Sequence, residues 1–151
     1  MKITIRDAEE SDALKMNEFL SKLINYEGNK YDPNTNPNIK IEDFFERKIN
    51  KPGFCSKLAL IDDKVVGFLH AGSNMNGIKL NPETKIHFLY VEEEYRKCGV
   101  GTKLLDEYLK EAKANGVKYV AINHYVDNIE SENLYKKFGF KELTIDRRVE
   151  L

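Results

Sequence analysis

The stretch YRKCGVGTKLL, Tyr95–Leu105, places two glycines and two cations within seven residues and then continues as apolar residues at helical spacing. A helix start leaves backbone N–H groups unpaired and carries partial positive charge, so a glycine-bearing turn into a helix is a natural phosphate site. Gly99 and Gly101 would let an anion touch the main chain, with Arg96, Lys97 and Lys103 on the approach. Each such charge contributes ~0.3 to 1 kcal/mol. A Walker A loop, G-x-x-x-x-G-K-(S/T), fails because GTK reverses the last pair and no Gly stands five positions before Gly101. A dinucleotide fingerprint would need a third glycine where Leu104 stands. A plain tight turn explains the glycines without any ligand. A nucleophilic Cys98 at the helix start would need a partner histidine that the sequence does not place beside it.

A third pattern, (R/Q)-x-x-G-x-(G/A), is met in full by Arg96, Lys97, Cys98, Gly99, Val100 and Gly101. YVEEEYR precedes it, and DNIESENLYKKFGF follows after a helix-length interval, matching N-x-x-(A/S)-x-x-L-Y-x-K-x-G-F. With both motifs in this order, nearly the whole chain resembles the GNAT superfamily of acyl-CoA-dependent N-acetyltransferases. Two positions depart from the usual pattern: Glu93 stands where Pro is common, and Cys98 where Gly, Lys or Arg is common. Neither removes a backbone donor.

The resemblance implies transfer of an acetyl group from acetyl-CoA to a primary amine by direct attack on the thioester, with no covalent enzyme intermediate. It implies that the amides of Arg96, Lys97, Cys98, Gly99, Val100, Gly101 and Thr102 hold the pyrophosphate. Main-chain groups of Leu89, Tyr90 and Val91 would hold the pantetheine arm, in a gap where two parallel strands splay apart. Asn128 would contact the cofactor; read by itself, it is a helix N-cap. Tyr135 stands at the general-acid position, although a lone tyrosine on an amphipathic helix reads as core packing. With a phenol near pKa 10 and a thiol near 8.5, full proton transfer would run about 2 kcal/mol uphill, so the proton would move only as the C–S bond breaks. The rival reading is an acyl-CoA-binding sensor or partner module without turnover.

A lysine-like amine is neutral in roughly one molecule of a few thousand at pH 7, so the reaction gains from a base. Period two puts Lys85, His87, Leu89 and Val91 on one strand face. Histone-type relatives carry Glu where Lys85 stands, which leaves His87 as first candidate, followed by Glu92, Glu93 or Glu94, then His124 or a water. His70, within a hairpin, reads as structural. Tyr26, Glu27, Tyr31 and Asp32 could receive a cationic amine through aromatic and carboxylate contacts, or form an ordinary solvated loop. In the family, the segments corresponding to Asn25–Lys40 and Met75–Glu83 set acceptor choice. A small-molecule or peptide amine fits equally well, and the acyl chain length stays open.

These residues need elements to position them. KITIR reads as a strand, and Ser11–Tyr26 as a helix with Ala13, Met16, Leu20, Leu23 and Ile24 on one face. Ile41, Phe44, Phe45 and Ile49 predict a short second helix, and KLALIDDKVVGFLHAG a hairpin turning at Asp62 and Asp63. A strand over 84–92, a helix over 99–115 and a strand over 117–124 make a βαβ unit with parallel strands. A helix over Ile129–Phe138, capped by Asp127 or Asn128 and stopped by Gly139, and a final strand over Phe140–Leu151 complete the chain. The expected fold is α/β (α+β): a single domain over 1–151, with a mixed, mostly antiparallel sheet, a central parallel splayed strand pair and flanking helices. The length of 151 residues suits one domain. Lysine and arginine number 24 against 25 acidic residues, for a net charge of -1, which argues against a nucleic-acid partner. Two cysteines, no leader after Met1 and no membrane-length apolar run point to the cytoplasm, with neither metal nor membrane involved. The alternation in FKELTIDRRVEL leaves a pairing edge that could serve a homodimer.

Overall fold

The computed structural model describes residues 1–74 and 77–151, so Met75 and Asn76 of the expected acceptor segment lie outside the described residues. Five strands form one sheet in the order β1 (Ile3–Asp7), β2 (Phe54–Ile61), β3 (Lys64–Ser73), β4 (Glu83–Val91) and β5 (Tyr119–Ile122). Neighbours run antiparallel except β4 and β5, which are parallel. Three helices cover the sheet: α1 (Ala13–Lys30), α2 (Val100–Ala114) and α3 (Ile129–Lys137). None among the described residues is long and apolar enough to cross a membrane.

Local chemistry explains much of this. The β2–β3 hairpin turns on Asp62 and Asp63, both left-handed at φ 49° and 62°, the combination that a two-residue turn matched to strand twist requires. In α2 the stripe Val100, Leu104, Leu105, Tyr108 and Ala112 is buried against Ala59, Leu69, Ala71 and Ile86. On the opposite face, Met16, Phe19 and Leu20 of α1 pack on Leu58, Phe68 and Tyr90. Asn128 caps α3 by accepting a hydrogen bond from the Ser131 amide at 3.1 Å, and Gly139 ends it at φ 85°.

Two expected elements are absent. The predicted second helix is only a short 3-10 turn at Phe45–Arg47, because Asp43 takes φ 51° and the segment's amides bond to α1 instead. The Ile41 amide donates to Ser21 Oγ (2.8 Å) and the Phe45 amide to Asn17 Oδ1 (3.1 Å). The final strand does not form either: residues 140–151 have no strand or helix, and 141–151 are exposed. β5 therefore ends the sheet.

His70 is structural, as its hairpin position suggested. Its ring is 1% exposed, lies among Phe45, Phe54 and Phe88, and holds Ser56 Oγ at 2.7 Å through Nδ1. Burial, aided by the charges of His87 and Lys48, pushes its pKa down to about 4. A lowered folded-state pKa gives stability that is present above the ordinary value near 6.5 and lost as pH falls through the folded value. About 3 kcal/mol of stability is expected to disappear between those limits. Urea midpoints at pH 7 and pH 4.5 should show the loss, and a His70→Phe protein should show a smaller one. An equal loss in the variant would assign the acid sensitivity to carboxylates.

Candidate active site

β4 ends at Val91, and the chain then passes through a short turn at Glu93–Tyr95 before entering α2. Two left-handed residues, Lys97 (φ 61°) and Gly99 (φ 88°), bring the chain round. No side chain caps Gly99, so the amides of Val100, Gly101 and Thr102 have no partner among the described residues. A Cβ at Gly101 would stand at ordinary contact distance from Leu134 Cδ2 (3.6 Å) and Val91 Cγ2 (3.9 Å), so this glycine is not demanded by packing. Gly67, which the sequence reading passed over, is demanded: a Cβ there would lie 2.7 Å from the Tyr90 carbonyl oxygen.

The cations divide their work. Arg96 turns inward: its Nε donates to the Val91 carbonyl (2.9 Å), and its guanidinium lies 4.8 Å from the Tyr26 ring centroid and 5.7 Å from that of Tyr90. It braces the loop against β4 and α1. Lys97 pairs with Glu130 of α3 at 3.6 Å. Lys103 is exposed with no ion-pair partner among the described residues, so it is the cation free to meet an anion at the helix start. Cys98 is an exposed thiol with no ring nitrogen bonded to it, which leaves the nucleophile reading without a base.

β4 and β5 pair only from Glu83↔Tyr119 to Ile86↔Ile122. Beyond that, His87–Val91 have no strand neighbour on this side, and their main-chain groups face a gap. A bulge helps to open it: the β3–β4 register jumps from His70↔Phe88 to Ala71↔Ile86, leaving His87 unpaired. The bulge also corrects the period-two expectation that Lys85, His87, Leu89 and Val91 share a face. Leu89 and Val91 join Ile86 on the α2 side, while Phe88 and Tyr90 pack toward α1. His87 is exposed, 6.2 Å from the His70 ring, and burial, Lys85 and Lys48 together lower its pKa. This makes it a weaker base than an ordinary histidine.

Tyr135 of α3 is buried in the apolar layer on the α2 side of the sheet, against which Leu89 and Val91 also pack. It is 7% exposed, with the rings of His124 and Phe140 at 5.7 and 5.8 Å. Burial pushes its phenol up to about 12, against the opposing influence of the nearby Ser131, and the charge of Glu27 adds to the rise. Glu27, near the end of α1, is half-buried and has no hydrogen bond or ion pair to its side chain among the described residues. Desolvation raises its pKa. The other acidic candidates are mostly engaged. Glu92 holds Lys22 (2.9 Å) and the Tyr90 hydroxyl (3.0 Å), which outweigh its burial and keep it below the usual carboxylate range. Glu94 pairs with Lys64, Glu93 is exposed, and the His124 ring contacts the Tyr125 carbonyl at 2.8 Å through Nδ1.

The end of α1 lies beside the strand-to-helix turn, where Tyr26 meets Arg96. Tyr31 stacks on Tyr125 with centroids 5.4 Å apart, and Asp32 is gripped by both terminal nitrogens of Arg148 at 2.9 Å. No local pattern in the sequence marked Tyr125 or Arg148. Among the described residues, no group of three or more His, Cys, Asp or Glu is placed to hold a metal ion.

A mixed sheet whose one parallel pair parts beside an uncapped helix start is the layout of an acyltransferase-type α/β scaffold. Sequence comparison agrees: the acetyltransferase (GNAT) family matches residues 20–140, and the chain belongs to that family. It is 30% identical over 83 residues to an uncharacterized N-acetyltransferase of Methanocaldococcus jannaschii, covering 54% of this chain and 37% of that protein. It is 33% identical over 97 residues to an N-alpha-acetyltransferase of Sulfurisphaera tokodaii, covering 60% of this chain and 58% of that one. The match thus spans well under two thirds of either relative. An aminoglycoside acetyltransferase from an uncultured soil sample shares the fold, with a TM-score of 0.77 at 19% identity over 99% of this chain and 96% of that one.

Proposed function

We propose that the protein is an N-acetyltransferase that uses acetyl-CoA to acetylate a primary amine. The observation that supports this reading is the stretch His87–Val91 left unpaired beyond the short β4–β5 ladder, with the unpaired amides at the start of α2 following it. The residues present fit the cofactor. The amides of the Arg96–Thr102 loop, with Lys103, suit a diphosphate. The free main-chain edge of Leu89, Tyr90 and Val91 suits an amide-bearing pantetheine arm added like a strand. Asn128 stands at the start of α3, beside Ser131.

The cofactor supplies an acetyl thioester; the chain's residues supply position and proton movement. Glu27 receives the ammonium and takes its proton, a role favoured by the lack of a counter-ion among the described residues and by its raised pKa. His87 stands on the bulge as a second acceptor. Tyr135 donates to the departing sulfur. A phenol near 12 against a thiol near 8.5 opposes full transfer by about 5 kcal/mol, so Tyr135 acts as a hydrogen-bond donor whose proton moves as the C–S bond breaks.

The two apolar layers share one sheet, so residues 1–151 are read as one catalytic domain. Free thiols at Cys55 and Cys98 suit the reducing cytoplasm. Leu143, Ile145, Val149 and Leu151 are exposed along the C-terminal arm while β5 keeps a free outer edge, and a second copy of the chain is the proposed cover for both. Light scattering that returns only the monomer mass would remove that cover. The central test is thiol release from acetyl-CoA with a panel of primary amines, alongside calorimetric titration of acetyl-CoA. Turnover with at least one amine is expected; absence of acetyl-CoA binding would overturn the proposal.

A further inference from the structure

The sequence offers two carboxylates, Glu27 and Asp32, to a cationic acceptor, but the fold leaves only one of them available. Asp32 is held in a two-pronged pair with Arg148, and its side chain is 15% exposed. Such a planar, bidentate pair satisfies both carboxylate oxygens. The other charges nearby are cations. Lys30 donates to the Tyr26 hydroxyl at 2.9 Å and lies over the Tyr26 and Tyr31 rings, and Arg96 lies over Tyr26. The acceptor end thus has two carboxylates among three cations, Lys30, Arg96 and Arg148, and only Glu27 lacks a partner. The Tyr31–Tyr125 stack adjoins Asp32 in the chain and gives this end an aromatic surface.

Resting on the acetyltransferase reading, we propose that the acceptor is a primary amine with a single positive charge next to an apolar or aromatic group, and that Arg148 excludes polycations by masking Asp32. One ammonium finds Glu27. A second ammonium within reach meets cations and an occupied carboxylate, which is repulsive specificity as much as attraction. The same chemistry occurs in a small arylalkylamine and in the N-terminus of a peptide that begins with apolar residues.

The test measures kcat/KM for 2-phenylethylamine, for an Ala-Phe-Ala peptide amide and for spermine and kanamycin. In parallel, each amine is titrated calorimetrically into the CoA-saturated protein. The wild type should prefer the monocations about tenfold or more in both readouts, and whichever of the first two wins identifies the source of the amine. Arg148→Ala should raise binding and kcat/KM for spermine about fivefold while leaving the acetyl-CoA affinity unchanged, and adding Asp32→Asn to it should cancel the gain. Equal or better use of polycations by the wild type, or no shift in Arg148→Ala, overturns the proposal. If no amine is turned over while acetyl-CoA binds, the enzymatic reading fails, and the binding series still decides the charge preference.

Discussion

Replacing Gly101 with glutamate is expected to weaken acetyl-CoA binding by at least about a hundredfold, measured by calorimetry, while the thermal midpoint stays level or rises. The two effects separate because they depend on different groups. Gly101 lies in the first turn of α2 with no left-handed φ, and a Cβ there meets Leu134 and Val91 only at ordinary contact distances. Glycine in a helix costs roughly 0.5 to 1 kcal/mol relative to alanine, and an acidic side chain near a helix N-terminus is favourable. The fold should therefore accept the change. A bound diphosphate would instead meet a carboxylate competing for the amides of Val100, Gly101 and Thr102. Gly101→Ala is the control, with wild-type stability or better and a much smaller loss of affinity. If the glutamate protein bound acetyl-CoA as tightly as the wild type, the cofactor would have to be placed elsewhere.

Removing the hydroxyl of Tyr135 should lower kcat about a hundredfold and change acetyl-CoA affinity by less than about twofold. General-acid assistance by a positioned side chain is worth roughly 10² to 10⁴ in rate. The ring itself would stay where it is, packed beside His124 and Phe140, because Tyr135→Phe keeps the volume and removes only the hydroxyl. The stability cost should be about 1 kcal/mol. The same variant separates the enzyme from a non-catalytic acyl-CoA sensor, since a sensor's ligand affinity would be equally untouched but it would have no turnover to lose. Rapid-quench turnover at saturating acetyl-CoA makes the measurement, and an unchanged rate would assign Tyr135 to packing alone.

Features governed by near neighbours in the chain were legible in the sequence. The α2 stripe, the Asp62–Asp63 turn, the Asn128 cap and the Gly139 stop all depend on residues within a few positions of one another, where dihedral preference and side-chain capping act. The glycine-to-helix loop was legible for the same reason: exposed amides follow from where a helix starts. The parallel β4–β5 pair followed from the length of the βαβ connection.

Tertiary structure decided what depends on partners far along the chain. The run from Ile41 to Ile49 has helical spacing, but Asn17 and Ser21 take the amides of Phe45 and Ile41 and the helix does not form. Phe140–Leu151 alternates like a strand, but strand formation depends on pairing with a distant segment, and this arm does not pair with the outer edge of β5. The bulge at His87 appears in no local pattern, because it is a mismatch of register between two strands, and it turned the predicted face of β4 over. Charges behaved in the same way. Glu27 and Asp32 look alike in the sequence, yet Arg148, 116 residues away, engages one and leaves the other. Residue type and spacing determined what this protein's backbone can offer to an anion. Which carboxylate stays unpaired was decided only when the fold brought distant charges together, because Coulomb interactions and desolvation depend on distance in space rather than on position in the chain.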